Sequence, residues 1–230
     1  MMPVQPVFVH GWGFGPGFWA PLVDALGWTD ACMLDLGFLG QGATASPALA
    51  ARCLQAVQAQ GRAVLGVGHS LGFLWLAQHM ALSAQDRLVG LNAFAAFAAC
   101  GSFPSGVPVR VLQRMHKGLS GNPEEVLADF CSHCGTQVVQ GTPNASNLSI
   151  GLDLLINGDV RPILAAKTGQ YAILAARQDP VVSATMTEDS FVEEDAVQWV
   201  DGGHLLPQTN VRACVAFLQA ARRAMEQDAK

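Results

Sequence analysis

The chain has 230 residues, half of them hydrophobic and only 13% charged, which suits one domain with a large core. A net charge of −5 and the lack of any basic run exclude a nucleic-acid-binding surface. Apolar stretches are broken by Gly, Asn, His or Ser before reaching the roughly 20 residues a membrane span needs, and the opening MMPVQPVFVHGWG has neither the basic nor the apolar region of a secretory signal. The six cysteines (32, 53, 100, 131, 134 and 214) form no regular framework, so reduced thiols in a soluble, cytoplasmic protein are expected.

Pro3 to Val9 reads as a first strand, rich in β-formers. It runs into His10-Gly11-Trp12-Gly13-Phe14-Gly15-Pro16-Gly17, where so many glycines preclude helix or strand. Such a loop lets backbone N–H groups approach a substrate closely, and the Trp12 N–H is the expected donor. His10 itself reads as a structural loop histidine. Phe18 to Leu26 suits a short helix, Ala31 to Leu36 a second strand, and residues 37–42 a loop. Ser46 to Gln60 has a helix's punctuation: Ser46 as N-cap, Pro47 at the first position, Gly61 beyond the end.

The most informative stretch follows. Ala63 to Val67 has the content of a buried strand, Gly68-His69-Ser70-Leu71-Gly72 intervenes, and Phe73 to Met80 continues at helical spacing. A serine with glycines two positions either side, between strand and helix, is the nucleophile-elbow pattern. Side chains at 68 and 72 would collide where strand and helix nearly touch, while the serine hydroxyl stands exposed at the sheet's carboxyl edge. A glycine-rich turn whose serine merely caps a helix is the competing reading.

Arg87 to Phe94 is the next strand, so the order to this point is β-α-β-α-β-α-β, the signature of a parallel sheet covered on both faces. The rhythm changes at SFPSGVP, residues 102–108, and residues 109–156 carry helical patterns without a long strand. Asn122 caps a helix there, with Pro123 and two acids after it, and a second loop at 140–144 precedes a helix near Ser149 to Ile156. A helical insertion at this point, about 105–156, is read as a lid on a single domain whose core is 1–104 and 157–230. Cys131-Ser132-His133-Cys134, with His116 nearby in sequence, invites a metal reading, but no second ligand pair follows, and packing residues are expected. No metal or organic cofactor is implied.

Tyr171 to Ala176 is again a buried strand, ending in Arg177-Gln178-Asp179-Pro180. Ala196 to Val200 is the last strand, followed by Asp201-Gly202-Gly203-His204, and Val211 to Met225 closes the chain as an amphipathic helix. Ser70, Asp179 and His204 each stand in a loop after a strand, in the chain order of an α/β-hydrolase triad. Serine needs a base to attack at neutral pH, His204 supplies it, and Asp179 fixes the imidazole tautomer. Asp35, Asp153, Asp159 and Asp201 are weaker candidates for the acid. The oxyanion donors are expected to be the N–H groups of Trp12 and Leu71.

HGWG, GHSLG, RQDPVV and DGGHLLP together resemble the α/β-hydrolase superfamily across nearly the whole chain. The HGWG opening and the segments VPVRVLQRMHKGL, ADFCSHCGT and GLDLLINGDVRPIL resemble, more narrowly, the pimeloyl-carrier-protein methyl ester esterases of biotin synthesis, the BioH type. The resemblance implies a serine esterase that cleaves a methyl ester on a long acyl chain presented by acyl carrier protein. It also implies that Trp12 and Leu71 line the oxyanion site and Phe130 the acyl side. The family grips its carrier with lid arginines, whereas residues 135–156 here contain no Arg or Lys, leaving Arg110, Arg114 and Lys117 as substitutes. A general carboxylesterase or thioesterase, and a hydrolase fold kept as a non-catalytic binding module, are the competing functions.

Overall fold

The computed structural model describes residues 4–40, 44–137, 141–191 and 193–228. Pro3, Gln41, Gly42 and Gln140, placed above in a strand start and in loops, lie outside them. In chain order the elements are β1 (Val4–Val9), a 3-10 turn (Pro16–Trp19), α1 (Ala20–Leu26), β2 (Cys32–Leu34), α2 (Pro47–Gln58), β3 (Ala63–His69), α3 (Leu71–His79) and β4 (Arg87–Leu91). Then come α4 (Val109–Leu119), α5 (Pro123–His133), α6 (Ala145–Asn157), α7 (Arg161–Ala165), β5 (Tyr171–Ala176) and α8 (Ala184–Ser190). The chain closes with β6 (Val197–Val200), α9 (Leu206–Thr209) and α10 (Val211–Asp228).

Six strands form one sheet in the order β2-β1-β3-β4-β5-β6, and every neighbouring pair is parallel. All six residues of β1 and all seven of β3 are buried. A central parallel strand reads this way only when helices cover both faces. Because all strands run the same way, the loops after β1, β3, β5 and β6 emerge at one edge, which brings Trp12, Ser70, Asp179 and His204 together.

The helix caps follow the sequence. Ser46 Oγ accepts from Leu49 N–H at 3.2 Å, and Asn122 Oδ1 from Glu125 N–H at 3.2 Å. Segment 109–157 forms three helices with no strand among its described residues, as expected. Two strands fall well short of expectation. β2 spans only Cys32–Leu34 because it is an edge strand, paired with β1 alone. β4 stops at Leu91 instead of Phe94 because Asn92 turns to φ 49, outside the extended region.

Candidate active site

Ser70 follows β3 and precedes the first residue of α3, held at φ 53 and ψ −124. A non-glycine residue at positive φ is uncommon, and persists only when its surroundings over-determine it. They do so through the flanking glycines. A methyl at 68 would meet the Phe73 backbone, and one at 72 the carbonyl oxygen of Val9. The strand-to-helix corner is as tight as the motif requires.

His204 and Asp179 are paired. Nδ1 of His204 lies 2.8 Å from Asp179 Oδ2, with both side chains almost wholly buried. The other carboxylate oxygen accepts from the N–H groups of Val181 and Val182, at 2.7 and 2.9 Å. Asp179 is thus an acceptor on every side, so His204 carries its proton on Nδ1 and presents a bare Nε2. That Nε2 is buried and has no hydrogen-bond partner among the described residues. Cys134 is also close. Its burial, with Cys131 and the Asp179 carboxylate beside it, pushes the thiol well up, so it stays neutral.

The loop after β1 crosses the same edge. Phe14 N–H donates to the Gly11 carbonyl at 3.3 Å, which curls the loop, and the Trp12 indole N–H donates to the Leu148 carbonyl on α6 at 2.9 Å. Among the described residues neither the Trp12 nor the Leu71 backbone N–H has a hydrogen-bond acceptor. Donors left free at the turn before a helix are the usual makings of an oxyanion hole.

A cavity of about 140 Å³ reaches this point, walled by Trp12, Ser70, Phe97, Leu112, Phe130 and Leu155 among others. Phe130 meets Trp12 edge-on, ring centroids 4.9 Å apart. An outer groove of about 880 Å³ between α4 and α5 shares Val111, Met115, Phe130 and His133 with the cavity, so the two lie side by side. Arg114 and Lys117 line the outer groove beside Glu125 and Asp129.

The remaining candidates are placed elsewhere. His10 is buried against β2, 3.3 Å from Asp35 Oδ1 and 3.1 Å from the Leu36 amide nitrogen, as a structural histidine. Asp201 lies toward Gln178, Asp159 pairs with Arg161, and His116 stands 3.4 Å from Asp153. Cys131 and Cys134 are buried free thiols, and among the described residues no three His, Cys, Asp or Glu side chains group as metal ligands. Two residues with a part in the site carried no such expectation: His69, which precedes Ser70 in the elbow, and Asn92. Both bond to the main chain at His204. The signal for Asn92 was slight, a polar residue at the end of an apolar strand.

Residues 7–217 match the profile of a family described as the alpha/beta hydrolase family. The chain belongs to that family. Among similar proteins is a pimeloyl-[acyl-carrier protein] methyl ester esterase of Xylella fastidiosa (strain M23), 27% identical and covering 93% of this chain and 92% of that protein. A biotin biosynthesis bifunctional protein of Saccharophagus degradans is 29% identical, over 90% of this chain and 39% of that one. The resemblance to the BioH-type esterases therefore stands, and with it the expected class of enzyme, a carboxylic ester hydrolase. Solved structures share the fold of this α/β hydrolase at low identity. An esterase from Exiguobacterium antarcticum superposes with a TM-score of 0.77 at 14% identity, covering 94% and 91% of the two chains. An enol-lactonase from Burkholderia xenovorans gives 0.71 at 14%, covering 96% and 91%. Among the described residues no helix is long and apolar enough to cross a membrane.

Proposed function

We propose that this α/β hydrolase is a serine esterase that cleaves the methyl ester of a long acyl chain carried by acyl carrier protein. The observation that carries the chemistry is the bare, buried Nε2 of His204, backed by Asp179, at the sheet edge where the elbow presents Ser70. The Ser70 hydroxyl attacks the ester carbonyl while His204 Nε2 takes its proton. Trp12 and Leu71 N–H groups receive the oxyanion, each such donor worth about 3 kcal/mol in the transition state. Methoxide leaves with the proton from His204, and methanol departs. Water, deprotonated by the same nitrogen, then attacks the Ser70 acyl ester and frees the carboxylate.

The acyl specificity has its own support. The cavity beside Ser70 is walled almost entirely by apolar side chains, Phe130 among them, and a larger groove adjoins it. That suits an extended chain whose far end stays outside. On this reading residues 105–156 serve as the lid over a core of 1–104 and 157–230, and the exposed Arg110, Arg114 and Lys117 of α4 face an acidic carrier in place of the arginines absent from 135–156. The substrate named for the Xylella relative fits this description.

The test is methanol release from pimeloyl-carrier-protein methyl ester by the full chain and by Ser70→Ala, beside a simple aryl ester. Fast, Ser70-dependent release supports the whole reading. Turnover of the aryl ester alone keeps the triad and replaces the substrate with smaller esters. Activity persisting in Ser70→Ala sinks the mechanism, and no labelling by a fluorophosphonate would mean a binding module.

A further inference from the structure

His204 hangs on a loop that has little stiffness of its own. β6, an edge strand, ends at Val200, and two glycines, Gly202 at φ 147 and Gly203, intervene before the histidine. Glycines give a segment freedom, yet a base displaced by about 1 Å loses on the order of 100-fold in rate. Something outside the loop has to fix it. At its exposed end Gln178 does so, accepting from Gly202 N–H at 2.8 Å.

The buried end is held by two residues outside the triad. The main-chain carbonyl of His204 accepts from His69 Nε2 at 2.8 Å and from Asn92 Nδ2 at 2.9 Å, while the same Asn92 amide reaches the Gly203 carbonyl at 2.9 Å. Asn92 Oδ1 accepts from Ala176 N–H at 2.8 Å, and its own N–H donates to Leu174 O at 2.9 Å. Asn92 therefore reaches from the end of β4 across the end of β5 to the loop after β6, bonding on the way to the strand that leads to Asp179. Its predecessor, Leu91, accepts from the N–H of Ser70 at 3.2 Å. His69 is the residue before Ser70. The segments carrying all three triad residues thus meet at the Leu91–Asn92 dipeptide and the His204 carbonyl.

Both side chains suit the task. Asn92 sits at φ 49, a conformation asparagine tolerates better than most residues, and both of its amide hydrogens are donated while its oxygen accepts a backbone N–H. His69 donates from Nε2, so its Nδ1 is bare. That nitrogen faces the loop after β1, where a methyl on Gly11 would come within 2.8 Å of it. Burial, and then the neighbouring His204 ring, push the His69 pKa well below the ordinary histidine range, so it remains a neutral donor.

We propose that Asn92 and His69 are positioning residues that clamp the His204 main chain and so keep its Nε2 aimed at the Ser70 hydroxyl. The proposal rests on the triad reading given above. The experiment measures kcat and KM for an aryl ester, with Tm, in the full chain and in Asn92→Asp, His69→Phe and His69→Gln. Aspartate keeps the shape, the backbone preference and the acceptor for Ala176 but cannot donate twice. Glutamine offers an N–H near the position of Nε2, whereas phenylalanine keeps the ring without it.

The expected result is a kcat about 100-fold lower in Asn92→Asp and about tenfold lower in His69→Phe, with KM little changed, Tm lowered in Asn92→Asp because its buried carboxyl faces two carbonyl oxygens, and most of the rate restored in His69→Gln. The proposal is overturned if folded Asn92→Asp keeps kcat within about threefold of the parent, or if the Phe and Gln variants at 69 have equal rates. Should Asn92→Asp fail to fold, the pair at 69 decides by that same comparison. Failure of the triad reading looks different, since Ser70→Ala would then remain active.

Discussion

Asp179 receives three N–H donors on two oxygens, from His204, Val181 and Val182. An asparagine there must aim its amide at one of those donors. With its oxygen kept on the two backbone N–H groups, the NH₂ faces His204 and forces the proton to Nε2, the wrong tautomer for a base. Asp179→Asn is therefore expected to lower kcat by about 10⁴ while leaving Tm close to that of the parent, checked by steady-state kinetics and thermal melting. A loss below about tenfold would mean that another carboxylate serves the base. At this scale the local motifs were legible: the elbow around Ser70, the glycine-rich loop, and the turns carrying Asp179 and His204 each lie in a short window. His69 and Asn92 were not, because their bonds to His204 cross 135 and 112 residues of chain and leave no local trace.

The three helices of the insertion differ in how they are held. α6 is tied to the core by polar contacts: the Trp12 indole on Leu148 O, Asn147 Nδ2 on the carbonyls of Gly37 at 2.8 Å and Ala45 at 3.2 Å, and Asn144 N–H on Phe38 O at 2.9 Å. α5 is anchored chiefly by apolar groups, with Leu127 and Cys131 buried and Phe130 against Trp12. Hydrogen exchange followed by mass spectrometry is expected to find the amides of α6 better protected than those of α5. The reverse order would mean that the polar contacts of α6 hold it less firmly than the apolar contacts hold α5. Caps made helices easy to read at Ser46 and Asn122, since one side chain decides the start. α6 begins at Ala145, four residues before the expected Ser149, because Asn144 caps a first turn of small polar residues with no apolar period. α7 and α8 were missed for a related reason. They have 5 and 7 residues, and α8, capped by Ser183, reads ATMTEDS, too polar and short to show a face.

For the molecule as a whole, the parallel sheet was legible because buried strands and intervening helices alternate strongly, and that alternation alone places the site at one edge. The acid side of its stability has a specific contributor. Partial burial works against the Asp35 carboxylate, but its contact with His10 and the Gly37 N–H at 2.7 Å outweigh that and hold its pKa below the usual range. A carboxylate depressed in the folded state stabilises at neutral pH, and that contribution is lost as pH falls through its folded value. Asp35→Asn is thus expected to melt below the parent at pH 7 and to lose less Tm between about pH 5 and pH 3. Parallel melting curves across that range would remove Asp35 from the account.

The hydrogen bond between Trp12 and Leu148 joins the two parts of this enzyme that an engineer would most want to separate. It spans 136 residues of sequence and fastens the loop bearing an expected oxyanion donor to α6, which lends Leu155 to the cavity wall. The helical segment is consequently no interchangeable cassette. A segment transplanted from another hydrolase in place of 105–156 has to bring a carbonyl to that indole, or Trp12 has to be exchanged with it, since a buried N–H without an acceptor costs about 1–3 kcal/mol. Altering substrate range by grafting therefore begins at residue 12, far upstream of the segment being replaced.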